Sequence, residues 1–297
     1  MVAIADNYFP IFRSAIARIS KANGSVVGAG FLVTGRSQSY IVTCAHVVTA
    51  ALSLPTDTVD LPSGNIYLDF PLIAPEQKLT AKVVFWRSVK TSSAEVEDIA
   101  GLELEGQLPS EVTPIKLIST NDLWEHPLRI FGFPSGHNDG VWATGVLRDR
   151  QAKGWVQIED IKVTGYRVEP GFSGAPIWDE TLAGVVGMAV AAEKQREDVK
   201  TAFMIPASTL LDAWTQLEQA PQSSKNRQTP ILNRVKQVQC QGLQKRLDSL
   251  ISNYEVAYTQ LDHTLGAADR NIIQNQIASI EQDMHKVASE IEFLRSE

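Results

Sequence analysis

The sequence predicts a mainly β protein with an α-helical C-terminal part, an all-β sandwich or barrel pair followed by a helical hairpin. Three observations carry this. Up to about residue 206 the chain is a series of short Val-, Ile-, Phe- and Trp-rich runs bounded by Gly, Pro, Ser or Asn clusters. Residues 220–230, APQSSKNRQTP, are polar and proline-flanked, the composition of a linker. Beyond them the apolar period changes from that of strands to that of helices. The resulting division is a body over 1–220, a linker over 221–230 and a helical hairpin over 231–297.

In chain order the strand runs are 25–34 (SVVGAGFLVT), 39–48 (SYIVTCAHVV), 65–70 (NIYLDF), 81–86 (AKVVFW), 99–104 (IAGLEL) and 128–133 (LRIFGF). VWATGVL, WVQIED, GAPIWD, GVVGMAV and TAFMIP continue the series. Many short strands at this spacing favour stacked or closed antiparallel sheets over a parallel α/β sheet. Residues 207–219 then read as a helix with Leu210, Leu211, Trp214 and Leu217 on one face.

In the C-terminal part, Leu243, Leu247, Leu250, Tyr254, Tyr258, Leu261 and Leu265 recur at steps of three and four. After Gly266, Ile273, Ile277, Ile280, Met284, Val287, Ile291 and Leu294 keep a strict heptad seam. This predicts two long helices packed antiparallel across a turn near Gly266–Asp269, with Asp269 available to cap the second.

Bulk properties narrow the function. A length of 297 residues suits a two-barrel body plus an appendage, and a net charge of −7 argues against a general nucleic-acid or membrane-surface binder. No apolar run is long enough to span a membrane, and the N-terminus lacks a signal-peptide pattern. Secreted proteins of this kind usually carry several disulfides; the two cysteines, Cys44 and Cys240, lie far apart, so a reducing cytoplasm is expected.

Three local motifs carry chemistry. TCAHVV ends a strand at His46, EDIAGLEL sets Asp98 directly before an apolar strand, and EPGFSGAPIW sets Ser173 between glycines. A serine hydroxyl needs an adjacent base to become a nucleophile at neutral pH. Histidine has the unperturbed pKa for that task, and a carboxylate on its other ring nitrogen fixes the tautomer. Glu95 and Glu97 compete with Asp98 for the last role. The N–H groups of Gly171 and Ser173 would supply an oxyanion hole. His126, His137, His263 and His285 read as solvated. No Cys/His cluster has metal-ligand spacing and no glycine loop resembles a phosphate cradle, so neither a metal nor a cofactor is expected.

TCAHVV, DIAGL and GFSGAP resemble the signature blocks of the trypsin-like (chymotrypsin-fold) serine peptidases, especially the bacterial HtrA-like branch. GAGFLVT, FGFPSG, GVVGMAV and FMIP are similar to further strands of that fold, over residues 10–220. The resemblance implies two six-stranded antiparallel β-barrels, with His46, Asp98 and Ser173 as the triad in the cleft between them. It prefers Asp98 to Glu95 and Glu97, because Asp98 meets the strand directly. It puts Arg167 near the base of the primary pocket, disfavouring basic substrates, and Gly187, Met188 and Ala189 on its wall; the alternative for Arg167 is a pair with Glu169 or another acid. In secreted digestive members an Asp directly before the serine pairs with a new N-terminus after cleavage. Phe172 stands there, so the resemblance implies no such activation.

The stretch from Tyr254 to Val287 resembles the helical effector-associated domains of bacterial conflict systems. That resemblance implies an interaction surface for a different protein; a plain hairpin would serve self-association. The expected activity is therefore a serine endopeptidase acting on protein through an acyl-enzyme, localised or activated by its tail. The alternative is a catalytically silent scaffold of the same fold.

Overall fold

A computed structural model describes residues 2–89, 98–159, 166–192, 201–220, 230–263 and 266–296. The chain divides into two compact units, Val2–Gln222 and Ser223–Glu297.

The first unit begins with helix α1 (Val2–Ala15) and then forms two closed six-stranded barrels in which every pairing between neighbouring strands is antiparallel. The first barrel contains β1 (Ile16–Ser20), β2 (Val26–Thr34), β3 (Ser39–Thr43), β4 (Ile66–Phe70), β5 (Ala74–Arg87) and β6 (Ile99–Glu105), in spatial order β1-β2-β3-β6-β5-β4. The second contains β7 (Pro127–Gly132), β8 (Val141–Arg150), β9 (Val156–Glu159), β10 (Pro176–Asp179), β11 (Gly184–Ala192) and β12 (Thr201–Pro206), in the order β10-β11-β12-β9-β8-β7. Helix α2 (Ala45–Leu52) follows β3, and α3 (Ala207–Ala213) follows β12. Leu32, Ile41, Ile66, Phe70 and Leu102 fill the first barrel and Phe31 is buried on the opposite face of β2, each 0 % exposed, which is why their runs read so clearly as strands.

Three elements of this unit escaped the sequence reading. The strand expected over 39–48 ends at Thr43, and from Ala45 the chain turns helical as α2, which carries His46. Helix α1 sends Phe9 and Phe12 onto the second barrel, with Phe12 centred 5.0 Å from Trp178 and Phe9 5.6 Å from Trp142. Strand β1 is masked in sequence by a central arginine. Arg18 is tolerated there because Nε and Nη2 donate to the two Asp69 oxygens at 3.0 and 2.8 Å, while Nη1 reaches the Asn138 carbonyl at 2.6 Å. A bidentate pair whose remaining donor is also satisfied is the arrangement that lets a charge be withdrawn from water.

The helix expected over 207–219 stops at Ala213. Trp214 turns extended (φ −128°, ψ 90°) and its indole stacks on Phe85 at 4.9 Å, 6° from parallel. It also lies over Gly101, where a Cβ would meet the indole at 2.1 Å. Leu217 and Gln219 then bridge to Gly35 and Leu117. Burying a large aromatic outweighs two more turns of a marginal helix.

The second unit is α4 (Pro230–His263) and α5 (Ala267–Ser296), packed antiparallel, with Tyr254 Oη donating to Glu281 Oε1 at 3.1 Å and Arg270 Nη1 to the Leu261 carbonyl at 3.1 Å. The α5 seam is as expected, with Ile277, Val287 and Ile291 buried and Ile273, Ile280, Met284 and Leu294 half-buried. On α4, Ala257 (2 % exposed) occupies the seam and Tyr258 (50 %) faces outward. With Ala257 in place, Leu243, Leu247, Leu250, Tyr254, Ala257 and Leu261 alternate four and three as strictly as α5 does. Leu265 lies outside the described residues. Asp269 sits within the first turn of α5 and not at its cap, where its charge still suits the helix N-terminus. Among the described residues, no helix is long and apolar enough to cross a membrane.

Candidate active site

The site forms where the two barrels meet. Strand β3 delivers Thr43 and Cys44, and α2 starts immediately with Ala45 and His46. The first N–H groups of a helix lack partners within it. Cys44 makes no side-chain cap, because its Sγ donates to the Ala189 carbonyl of the second barrel at 3.3 Å. The acceptor for the His46 N–H comes instead from Asp98, whose Oδ1 lies 2.9 Å away. The same carboxylate holds the imidazole, with Asp98 Oδ2 2.7 Å from His46 Nδ1. One buried side chain thus fixes both the backbone and the ring of His46, and among the described residues Nε2 makes no hydrogen bond.

Asp98 is 5 % exposed and has φ +96°, a region that non-glycine residues rarely adopt. Such a conformation typically costs on the order of 1–3 kcal/mol and persists where surrounding bonds over-determine it. Here they are the two contacts to His46 and the Asp98 N–H donating to the Arg87 carbonyl at 3.2 Å. Glu95 and Glu97 lie outside the described residues.

Ser173 sits in the turn before β10, and backbone contacts carry it across the barrel seam. Its carbonyl accepts from the Ala29 N–H at 2.9 Å, and the next N–H, of Gly174, donates to the Ala189 carbonyl at 2.8 Å. Thr43 Oγ1 donates to the Ala29 carbonyl at 2.6 Å, so the strand leading to His46 and the turn holding Ser173 share one anchor, Ala29. The turn needs glycine on both sides. Gly171 and Gly174 have φ +108° and +84°, and a Cβ would meet the Phe133 carbonyl oxygen at 2.3 Å and the Ala29 carbonyl oxygen at 2.0 Å respectively. Among the described residues, neither the Gly171 nor the Ser173 N–H has a hydrogen-bond partner. Ser173 Oγ points to the Val190 carbonyl at 3.5 Å, the outer limit of a hydrogen bond. Beside Gly171 opens a cavity of about 380 Å³, walled by Val26 and Val27 from the first barrel and Phe133, Pro134 and Pro170 from the second.

Of the pocket residues expected from sequence, Arg167 is half exposed, with Nε 3.8 Å from Glu169 Oε2, the ion pair that stood as its alternative. Met188 and Ala189 are 0 % and 1 % exposed, and Gly187 packs against Met204 and the Ile205 carbonyl. Val190, one residue beyond that trio, is the β11 residue that faces the serine hydroxyl. Nothing in the apolar run GVVGMAV distinguishes it; strand register alone selects it.

Cys44 Sγ, the His46 ring and the Asp98 carboxylate lie within 4.8 Å of one another, a grouping of metal-ligand types that sequence spacing did not reveal. Burial first, and the Asp98 charge second, push the Cys44 thiol well above its ordinary pKa, so it remains a protonated donor at neutral pH.

His126, expected in solvent, is 7 % exposed and bonded through Nδ1 to Asp179 Oδ2 at 2.7 Å. Asp179 is itself fully buried, and its Oδ1 accepts from the Thr181 and Leu182 N–H groups at 2.8 and 2.9 Å. This second His–Asp pair ties β10 to the entry of β7. Burial alone would lower the His126 pKa, but the hydrogen bond and charge of Asp179, aided by Asp122, leave it raised. His137 is half-buried, its Nε2 2.8 Å from Tyr166 Oη.

Comparison with known proteins bears on this geometry. Residues 28–188 match the family model described as a trypsin-like peptidase domain, and residues 233–294 match that of effector-associated domain 9. No curated protein matches the chain. Among solved structures, inactive forms of the Rv3671c protease of M. tuberculosis are similar at 19 % and 18 % identity, each covering 72 % of this chain and 92 % and 95 % of theirs, both with a TM-score of 0.49. A serine endoprotease from Yersinia pestis is similar at 15 % identity, covering 69 % of this chain and 64 % of its own, with a TM-score of 0.47.

Proposed function

This chain belongs to the trypsin-like peptidase family, and from that premise we propose that it is a serine endopeptidase using Ser173, His46 and Asp98. The observation that carries the reading is the double grip of Asp98 on His46, at 2.9 and 2.7 Å, beside a serine turn bonded across the barrel seam. With Nδ1 committed to Asp98, His46 Nε2 is left to take the Ser173 proton as Oγ attacks a peptide carbonyl. The oxygen of the tetrahedral intermediate would lie against the Gly171 and Ser173 N–H groups. Collapse expels the amine, which takes the proton from His46, and leaves an acyl-serine. Water, deprotonated by the same nitrogen, then releases the acid. Reaching this arrangement requires Ser173 Oγ to turn from Val190 toward His46, a change between side-chain rotamers. Substrates are proteins or peptides, and no cofactor enters any step.

The match of residues 233–294 to effector-associated domain 9 supports a role for the helical unit as a protein-interaction module, recruiting the peptidase to a partner or another copy in a bacterial defence or signalling system. Neither cysteine is in a disulfide, in keeping with a reducing cytoplasm.

Ser173→Ala tests the reading. Cleavage and fluorophosphonate labelling are expected to disappear with the fold intact; persistence of either refutes it. The orientation of Ser173 Oγ toward Val190 favours a second reading, a silent or latent protease fold. Comparing residues 1–220 with the full chain separates these possibilities. Activity in the shorter chain alone identifies a latent enzyme, and an unlabelled serine in both, with or without added partner, identifies a scaffold.

A further inference from the structure

The residue between the two candidate oxyanion donors is Phe172, and its side chain is 0 % exposed. Its ring fills the space above Gly132, the last residue of β7. A Cβ built on Gly132 would lie 2.4 and 2.5 Å from ring atoms of Phe172 and 2.9 Å from its Cα. One residue further on, the Phe133 N–H donates to the Gly171 carbonyl at 3.0 Å. The Phe172 N–H is spent on the Glu169 carbonyl at 3.1 Å, and its carbonyl accepts from Ala175 at 3.0 Å. The middle residue is therefore bound through its ring, N–H and carbonyl, while the N–H groups on either side, of Gly171 and Ser173, have no partner among the described residues.

We propose that Phe172 is a positioning residue: its ring, seated on Gly132, holds the Gly171–Ser173 segment so that the N–H groups of Gly171 and Ser173 face one developing oxyanion. The proposal rests on the serine-peptidase reading and adds to it a means of keeping the hole formed. Because the torsions of Gly171 and Phe172 together set the direction of the Ser173 N–H relative to that of Gly171, a ring locked in a fitted notch, next to a Gly171 carbonyl held by the Phe133 N–H, fixes their convergence. The anchor is apolar, and its strength does not depend on the charge of any group.

The test uses the full-length protein with three variants: Phe172→Ala, which empties the notch; Gly132→Ala, which obstructs it from the other side; and Phe172→Leu, which restores most of the apolar contact. Each is assayed for kcat and KM on one peptide substrate, for inhibition by a peptide boronate that mimics the tetrahedral adduct, and for active sites titrated by fluorophosphonate labelling carried to completion. Loss of one oxyanion donor typically costs roughly 100–1000-fold in kcat. Phe172→Ala and Gly132→Ala are expected to lose about that much in kcat per titrated site, with KM within about threefold and a matching loss of boronate affinity. Phe172→Leu recovers at least about tenfold of the loss. A merely structural role would lower the number of titratable sites and leave kcat per site within about threefold, which overturns the proposal, as does a loss confined to KM. Where Phe172→Ala does not fold, Phe172→Leu and Gly132→Ala decide by the same criteria, with a kcat per site at the wild-type level counting against it. Ser173→Ala run alongside keeps the two claims apart: surviving activity there refutes the serine-peptidase reading itself.

Discussion

Replacing Asp98 by Asn changes a single atom type and leaves no satisfactory hydrogen-bond arrangement. The carboxylate accepts from the His46 N–H at 2.9 Å through Oδ1 and from His46 Nδ1 at 2.7 Å through Oδ2. An amide accepts through one of these positions. If its oxygen stays on the backbone N–H, its NH₂ faces Nδ1, which must then become the acceptor. The ring proton moves to Nε2, and the imidazole presents a donor where a base is needed. If the amide turns over, NH₂ meets the backbone N–H in a site 5 % exposed, an unpaired buried contact worth on the order of 1–3 kcal/mol. Asn tolerates positive φ about as well as Asp, so the +96° backbone is not itself at issue. The expected outcome is a loss of about 10⁴-fold in kcat, roughly 5.5 kcal/mol of transition-state stabilisation, and a melting temperature lower by several degrees. Steady-state cleavage and thermal unfolding of the same samples measure the two effects separately. If kcat stays within tenfold of wild type while the melting temperature falls, Asp98 only braces the start of α2. One of the neighbouring acids, Glu95 or Glu97, would then have to orient the base.

Three further outcomes follow from the packing. Gly174→Ala places a Cβ 2.0 Å from the Ala29 carbonyl oxygen at φ +84°, so the barrel seam has to open; labelling of Ser173 and thermal stability should fall together, and wild-type labelling would refute the role given to that seam. Trp214→Ala removes a side chain 6 % exposed that stacks on Phe85; a cost of roughly 3–5 kcal/mol is expected from chemical denaturation, and one below about 1 kcal/mol would contradict it. The raised His126 pKa gives a signed pH effect. The charged pair with Asp179 contributes fully below the unfolded histidine pKa and is lost as pH rises through the higher folded value. Between pH 6 and pH 8.5 the wild type should therefore lose more stability than His126→Gln, and parallel denaturation curves would rule this out.

The strands that line the barrels were legible because their buried residues are apolar and closely spaced, on one face as Leu32 and Ile41 and on the other as Phe31 and Val42. The α5 seam was legible for the same reason at helical period. The misreadings share a different cause. Ala257 is too small to register as a seam residue beside Tyr258, although it is the residue buried there. Strand β1 was hidden by Arg18, whose partner Asp69 lies fifty-one positions away. His126 looked polar and therefore solvated, because nothing near it in sequence announces Asp179 as its acceptor. Helix 207–219 was cut short at Trp214 by ring contacts with residues of the first barrel.

By itself the sequence determined that two chemical neighbourhoods exist, a turn-bounded β body and a heptad-spaced helical pair, and it set His46, Asp98 and Ser173 apart in three local motifs. Those properties are local: side-chain period, turn glycines and residue type are written within a few positions of one another. Only the tertiary structure decided that Asp98 grips His46 through both oxygens, that Ala29 and Thr43 tie the serine turn to the other barrel, and that Phe172 sits in the notch at Gly132. Each of these joins residues from separate strands, and barrel closure and register, which bring such strands together, follow from the whole set of pairings and from no single motif.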